Sequence, residues 1–176
     1  MTQNKRRIDR ILEGEYLVDL GGRSIEDIRI MKSDISEEEA LVSYERRMLH
    51  GRLAILRAEL TRRAGGGEGA SIVEMLPQIL ADENHQNRGS FPMGDPSLPD
   101  NPTRRVSKLV SDDTLANLAQ LTDAQVQHHI DELEAAERET SSVRASVLHV
   151  LDELNREIAR RYASGEVDPG DALATN

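Results

Sequence analysis

Residues 122–162, TDAQVQHHIDELEAAERETSSVRASVLHVLDELNREIARRY, decide the fold. Thr122 and Gln125 have the spacing of a capping box, in which two side chains satisfy backbone N–H groups that a first helical turn leaves unpaired. Beyond it no Pro or Gly intervenes, and Val126, Ile130, Leu133, Glu137, Thr140, Arg144, Val147, Leu151, Leu154 and Ile158 recur at steps of four and three. That alternation is a coiled-coil seam. Gly165, Pro169 and Gly170 end it and leave a polar tail.

A second stretch carries the same pattern. Glu39, Val42, Arg46, Leu49, Leu53, Leu56 and Leu60 also step by four and three, and Gly65, Gly66, Gly67 and Gly69 follow. Ser36 with Glu39 resembles a capping box that would start this helix. Working outward, residues 1–33 read as an N-terminal arm of short helices broken at Gly21-Gly22, with Ser24 and Asp27 capping a brief helix through Met31. Residues 34–63 form the first long helix. Residues 64–110 form a Gly/Pro-rich linker, with a short apolar helix near 71–82 distorted at Pro77 and four prolines between 84 and 105. Residues 111–163 hold a short helix marked by Leu115, Leu118 and Leu121 and then the second long helix, and 164–176 are a tail. The expected fold is all-α: a long antiparallel two-helix coiled coil with short flanking helices and a disordered Pro-rich linker.

Composition agrees. One Phe, no Trp and three Tyr cannot fill a deep globular core, so Leu, Ile, Val and Ala on the seams must supply the burial. A formal net charge of −10 opposes attachment to nucleic acid or an anionic membrane and suits a basic protein partner. The absence of cysteine excludes disulfides, thiolate metal sites and thiol nucleophiles. No signal-peptide core or membrane span is legible, which sets the expectation of a soluble cytoplasmic protein.

The seams carry charge where Leu is normal, and they do so twice. Glu39, Ser43 and Arg46 repeat as Glu137, Ser141 and Arg144, with Glu and Arg seven residues apart in each copy. Extended by the same spacing, the stripes read Glu39, Ser43, Arg46, His50, Ala54 and Glu137, Ser141, Arg144, Leu148, Asp152. At about 100° per residue each stripe spans roughly 80° of one helix face. An Arg fork fits phosphate oxygens or the O6/N7 edge of guanine, a carboxylate accepts from guanine N1–H and N2–H₂, and a hydroxyl donates to phosphate. The set fits a guanine nucleotide, and its duplication fits a two-fold symmetric one. A plainer alternative stands beside this: Glu39 could pair with Arg144 and Arg46 with Glu137, as register-setting bridges in a ligand-free coiled-coil adaptor or dimerisation protein.

Other patterns carry little chemistry. His128, His129 and Glu132 lack the spacing of a helical zinc site, and adjacent histidines point about 100° apart. Ser, His and Asp fall on separate segments without a nucleophile elbow, and the phosphate-loop signature is absent. No metal and no catalysis are expected.

The pattern E-x3-S-x2-R-x3-Q-x3-D, present once on each long helix, resembles the signature of RsiG, a family of actinobacterial anti-sigma factors also labelled aerial mycelium formation protein. RIDRIL near the start and SYERRMLHGRLAILRAEL extend the likeness. Copy one has His50 for Gln and Ala54 for Asp; copy two has Leu148 for Gln and keeps Asp152. The resemblance implies an antiparallel coiled coil that binds two cyclic di-GMP molecules as an intercalated dimer and holds a sporulation sigma factor of the WhiG type away from RNA polymerase. It implies one chain per sigma factor, no direct DNA binding, and nucleotide contacts from Glu39, Ser43, Arg46, His50, Glu137, Ser141, Arg144 and Asp152.

Overall fold

The computed structural model describes residues 7–66 and 112–167, and within them every regular element is helical. In chain order these are α1 (Arg7–Ile11), a 3-10 turn (Leu20–Gly22), α2 (Ile25–Ala64), α3 (Asp112–Ala116), a second 3-10 turn (Leu118–Gln120) and α4 (Asp123–Ser164). The expected helix near 71–82, the prolines of 84–105 and the last residues of the tail lie outside the described residues.

α4 starts where its sequence says. The Thr122 amide donates to Gln125 Oε1 at 2.9 Å and the Gln125 amide donates to Thr122 Oγ1 at 3.3 Å, which closes the capping box. α2 departs from expectation at its start. It begins at Ile25 rather than near residue 34, capped by Ser24, whose Oγ accepts from the Asp27 amide at 3.0 Å. Ser36 sits inside the helix and donates to the Lys32 carbonyl at 2.8 Å, so it caps nothing. The cause is hydrophobic. Ile28, Met31 and Ile35 are all buried and continue the four-and-three seam upstream of Val42, and a helix that breaks there would expose them. The expected short helix after residue 111 is also split, into α3 and the 3-10 turn at Leu118.

The described residues fall into two compact units, to each of which α2 and α4 contribute. The first holds residues 7–40 and 142–167. Ile11 from α1, Ile28, Met31 and Ile35 from α2, and Val147, Val150 and Leu154 from α4 form its core. Arg29 donates to the Tyr162 hydroxyl at 2.6 Å while Glu39 meets Arg144, so numbering rises on one helix as it falls on the other. The N-terminal arm is fastened to its own helices, by Ile11 in the core and by Arg7, which binds Glu38 at 2.6 Å and Glu37 at 2.9 Å.

The second unit holds residues 41–66 and 112–141. Its core joins Leu49, Leu53 and Leu56 to Leu118, Val126, Ile130, Leu133 and Ala136. Arg57 reaches Glu134 and Arg63 reaches Asp123, both at 2.8 Å, again antiparallel.

Both units follow one plan. Several residues of the first repeat have counterparts 98 positions on: Leu20 and Leu118 in the 3-10 turns, Ser24 and Thr122 as caps, Ile28 and Val126, Ile35 and Leu133, Leu49 and Val147, Leu56 and Leu154 in the cores. The closing arginines match too. Arg161 donates to the Leu20 and Arg23 carbonyls at 2.7 Å and binds Glu157. Arg63 donates to the Leu118 and Leu121 carbonyls at 2.8 and 2.7 Å and binds Glu59. In each unit an arginine near the end of one long helix satisfies the carbonyls of the turn that precedes the other.

Two expectations follow from these arginines. Arg161 is 6% exposed, and Arg161→Leu takes the side-chain donor from the Leu20, Gly21 and Arg23 carbonyls, while Glu157 keeps its bonds from Arg160, at a cost of about 2–3 kcal/mol in urea unfolding. Arg160→Leu, at an exposed neighbour, should leave the midpoint nearly unmoved. Hydrogen bonds from Arg160 and Arg161 hold Glu157 down to about 2, and bonds from Arg62 and Arg63 hold Glu59 below its usual range despite burial. A carboxylate depressed in the folded chain contributes stability that is present above its unfolded value and lost as pH falls through its folded one. The melting temperature is therefore expected to hold down to about pH 4.5 and to fall between there and about pH 2, read by circular dichroism. A flat profile would show that these pairs contribute nothing.

Candidate functional site

The repeated Glu and Arg positions pair within each unit, and each pair takes its arginine from one copy and its acid from the other. In the second unit, Arg46 on α2 donates through Nε to Ser141 Oγ at 2.9 Å and to Glu137 Oε1 at 3.1 Å, both on α4. Ser141 Oγ donates to the same Oε1 at 2.7 Å, and His50 Nε2 lies 3.1 Å from it. In the first unit, Arg144 Nε donates to Glu39 Oε1 at 3.0 Å.

The seam register dictates this crossing. Glu39 and Arg46, like Glu137 and Arg144, stand two helical turns apart on the line that also carries Val42 and Thr140. An antiparallel partner therefore sets acid against base in each unit. Neither pair is sealed: the Glu137 and Arg46 side chains keep 19% and 27% of their surface exposed, and Glu39 and Arg144 keep 16% and 32%. Burial pushes the Glu137 carboxyl up, but hydrogen bonds from Ser141 and His50, the nearby imidazole charge and Arg46 together hold it below its ordinary value.

Among the described residues, the hydrogen bonds that Glu137 makes converge on Oε1. Thr140 is 2% exposed and its hydroxyl has no hydrogen-bond partner among the described residues, at the position where the other copy has Val42. An orphaned buried hydroxyl costs about 1–3 kcal/mol. Reading the motif alone overlooks Thr140; its only signal is a hydroxyl at a seam position.

The remaining expected residues divide. His50 joins the Glu137 cluster. Ser43 is buried in the second unit. Asp152 is exposed, two turns beyond Arg144, and takes no part in either cluster. His128 and His129 flank Glu132 at 3.7 and 3.4 Å along α4, away from the two clusters in sequence.

Residues 14–80 match the model of a family described as RsiG-like. Over that span, the chain is similar to the RsiG-like family. The match covers the first copy of the motif, Glu39 to His50, and the 98-residue repeat carries the same positions to the second. No curated protein matches the chain. The RsiG-like match suggests an anti-sigma role with a sigma factor as partner and, together with the helical architecture, a regulator rather than an enzyme. No described helix is long and apolar enough to cross a membrane.

Proposed function

We propose that this RsiG-like chain is a cytoplasmic anti-sigma factor that binds two molecules of cyclic di-GMP through its two polar clusters and, when loaded, sequesters a WhiG-type sigma factor from RNA polymerase. The observation that carries the proposal is the reciprocal construction: each unit sets a carboxylate of one motif copy beside the guanidinium of the other, accessible to solvent. On loading, each arginine exchanges its glutamate for phosphate oxygens or a guanine edge, and each glutamate exchanges its arginine for guanine N1–H and N2–H₂. Donors and acceptors stay matched in both states. The exchange therefore strands no charge.

The net charge of −10 suits a partner that presents basic DNA-binding surfaces. Because both motif copies lie in one chain, a complex of one chain, two nucleotides and one sigma factor is expected. Nucleotide and sigma affinities must then be coupled by the same factor in both directions.

Calorimetric titration of cyclic di-GMP, with GTP as control, tests the proposal with and without the sigma factor. Saturation at two nucleotides per chain supports it. No heat with the sigma factor present would leave the ligand-free adaptor, a reading that the closed Arg–Glu pairs favour on their own.

A further inference from the structure

The two repeats differ most in bulk on the face of the long helix that, in the first unit, meets the N-terminal arm. A groove of about 560 Å³ runs between the arm at Ile11, Leu12 and Leu17 and the α4 face that carries Ser142, Ala145 and Ser146, and Glu13 stands among its lining residues. Counted back 98 positions, that α4 face becomes Tyr44, Arg47 and Met48 on α2. There the chain supplies the bulk itself: Met48 packs against the second core, and the Arg47 guanidinium lies 5.8 Å from the centre of the Tyr44 ring. Three small side chains thus stand where the other copy has an aromatic ring, a cation and a long apolar chain. All three large apolar side chains that the described residues leave exposed, Leu12, Val18 and Ile30, belong to the first unit as well, and Leu12 lines the groove.

We propose that this groove is a docking site for an amphipathic helix of a partner protein, whose apolar stripe enters between the arm and α4 and whose Lys or Arg residues meet Glu13. Positions 142, 145 and 146 share one side of α4, and small residues there let a second helix approach closely, with side chains three and four apart reaching the floor. Charge selects the flank of the incoming helix. Glu13 and the exposed Glu15 make the arm side acidic, and the chain carries a net charge of −10, which attracts a basic helix and repels both an acidic one and an anionic membrane. The other copy shows the same chemistry within one chain, a cation set beside apolar bulk. The inference goes beyond the nucleotide reading and does not depend on it, since among the described residues the lining includes none of the motif side chains.

The chain has no Trp, so an amphipathic Leu/Lys peptide with one Trp on its apolar side reports its own burial by a blue shift of emission when the full chain is added. A Leu/Glu peptide of the same pattern is the control. The Leu/Lys peptide is expected to bind, and the Leu/Glu peptide to bind at least about tenfold more weakly. Ser142→Tyr with Ser146→Met copies the other repeat at two exposed positions. This double variant should melt with the parent and lose at least about tenfold in Leu/Lys peptide affinity. Glu13→Lys should lose about threefold.

The double variant keeps the net charge of the parent, so a peptide held only by general acidity binds both equally, and that result overturns the proposal. So does the absence of any blue shift with the parent, or a Glu13→Lys protein that binds the Leu/Lys peptide as the parent does. Sedimentation of the chain alone decides the competing occupant. A parent that dimerises, beside a double variant that does not, would assign the groove to a second copy of the chain and not to a basic helix.

Discussion

Replacing Glu39, Arg46, Glu137 and Arg144 together with Leu is expected to lower cyclic di-GMP affinity at least a thousandfold while raising the stability of the helical pair by about 1–4 kcal/mol. The stability half of this expectation comes from desolvation. Charges held at the seam lose part of their hydration, and their mutual attraction only partly offsets that loss, so well-packed apolar residues in their place are commonly neutral or better. Changing all four matters, because removing the arginines alone leaves two partly buried glutamates uncompensated. The affinity half follows from losing several charge-assisted hydrogen bonds, each contributing about 1.5–3 kcal/mol. If the pairs exist only to set register, the outcome is different: the parent never binds nucleotide, and the variant, with a uniform Leu seam, changes its oligomeric state. Calorimetry, urea unfolding and sedimentation distinguish the two. A fourfold variant that still binds cyclic di-GMP as the parent does ends the nucleotide reading.

Much of this arrangement is legible in the sequence because periodicity reports burial. The α4 seam and its Thr122 cap need only the spacing of apolar residues and one capping box, and the structure follows both. The crossing of Glu39 to Arg144 and of Arg46 to Glu137 follows from two copies in one register and an antiparallel pair. What misled was a local signal set against a longer-range one. Ser36 and Glu39 look like a cap, but Ile28, Met31 and Ile35 already carry the seam past them, and the burial of three large side chains outweighs a capping preference of about 1 kcal/mol. The full repeat is fainter. Its counterparts are similar rather than identical, as with Ile28 and Val126 or Ile35 and Leu133, and are recognised once both members are seen in matching cores. The convergence of His50, Ser141 and Arg46 on one oxygen is not readable from spacing at all, since it depends on side-chain rotamers across the seam.

Leu154→Ala should cost about 2–5 kcal/mol, and nucleotide should restore much of that loss. Leu154 is fully buried in the first unit, among Ile28, Ile35 and Val147, and truncation removes its transfer free energy and leaves a cavity between helices that cannot close freely. Its counterpart Leu56 is equally buried in the second unit, so Leu56→Ala should cost a similar amount if the two units are built alike. A ligand that binds only the folded chain adds stability by mass action, about 2.7 kcal/mol at a hundred times its dissociation constant. Cyclic di-GMP should therefore raise the melting temperature of Leu154→Ala by a similar free energy to that of the parent, because neither Arg144 nor Glu39 has been altered. The fourfold Leu variant should melt at the same temperature with and without nucleotide. If saturating cyclic di-GMP, tried with the sigma factor present, moves none of these melts, then the acid and guanidinium pairs are bridges between helices and nothing more.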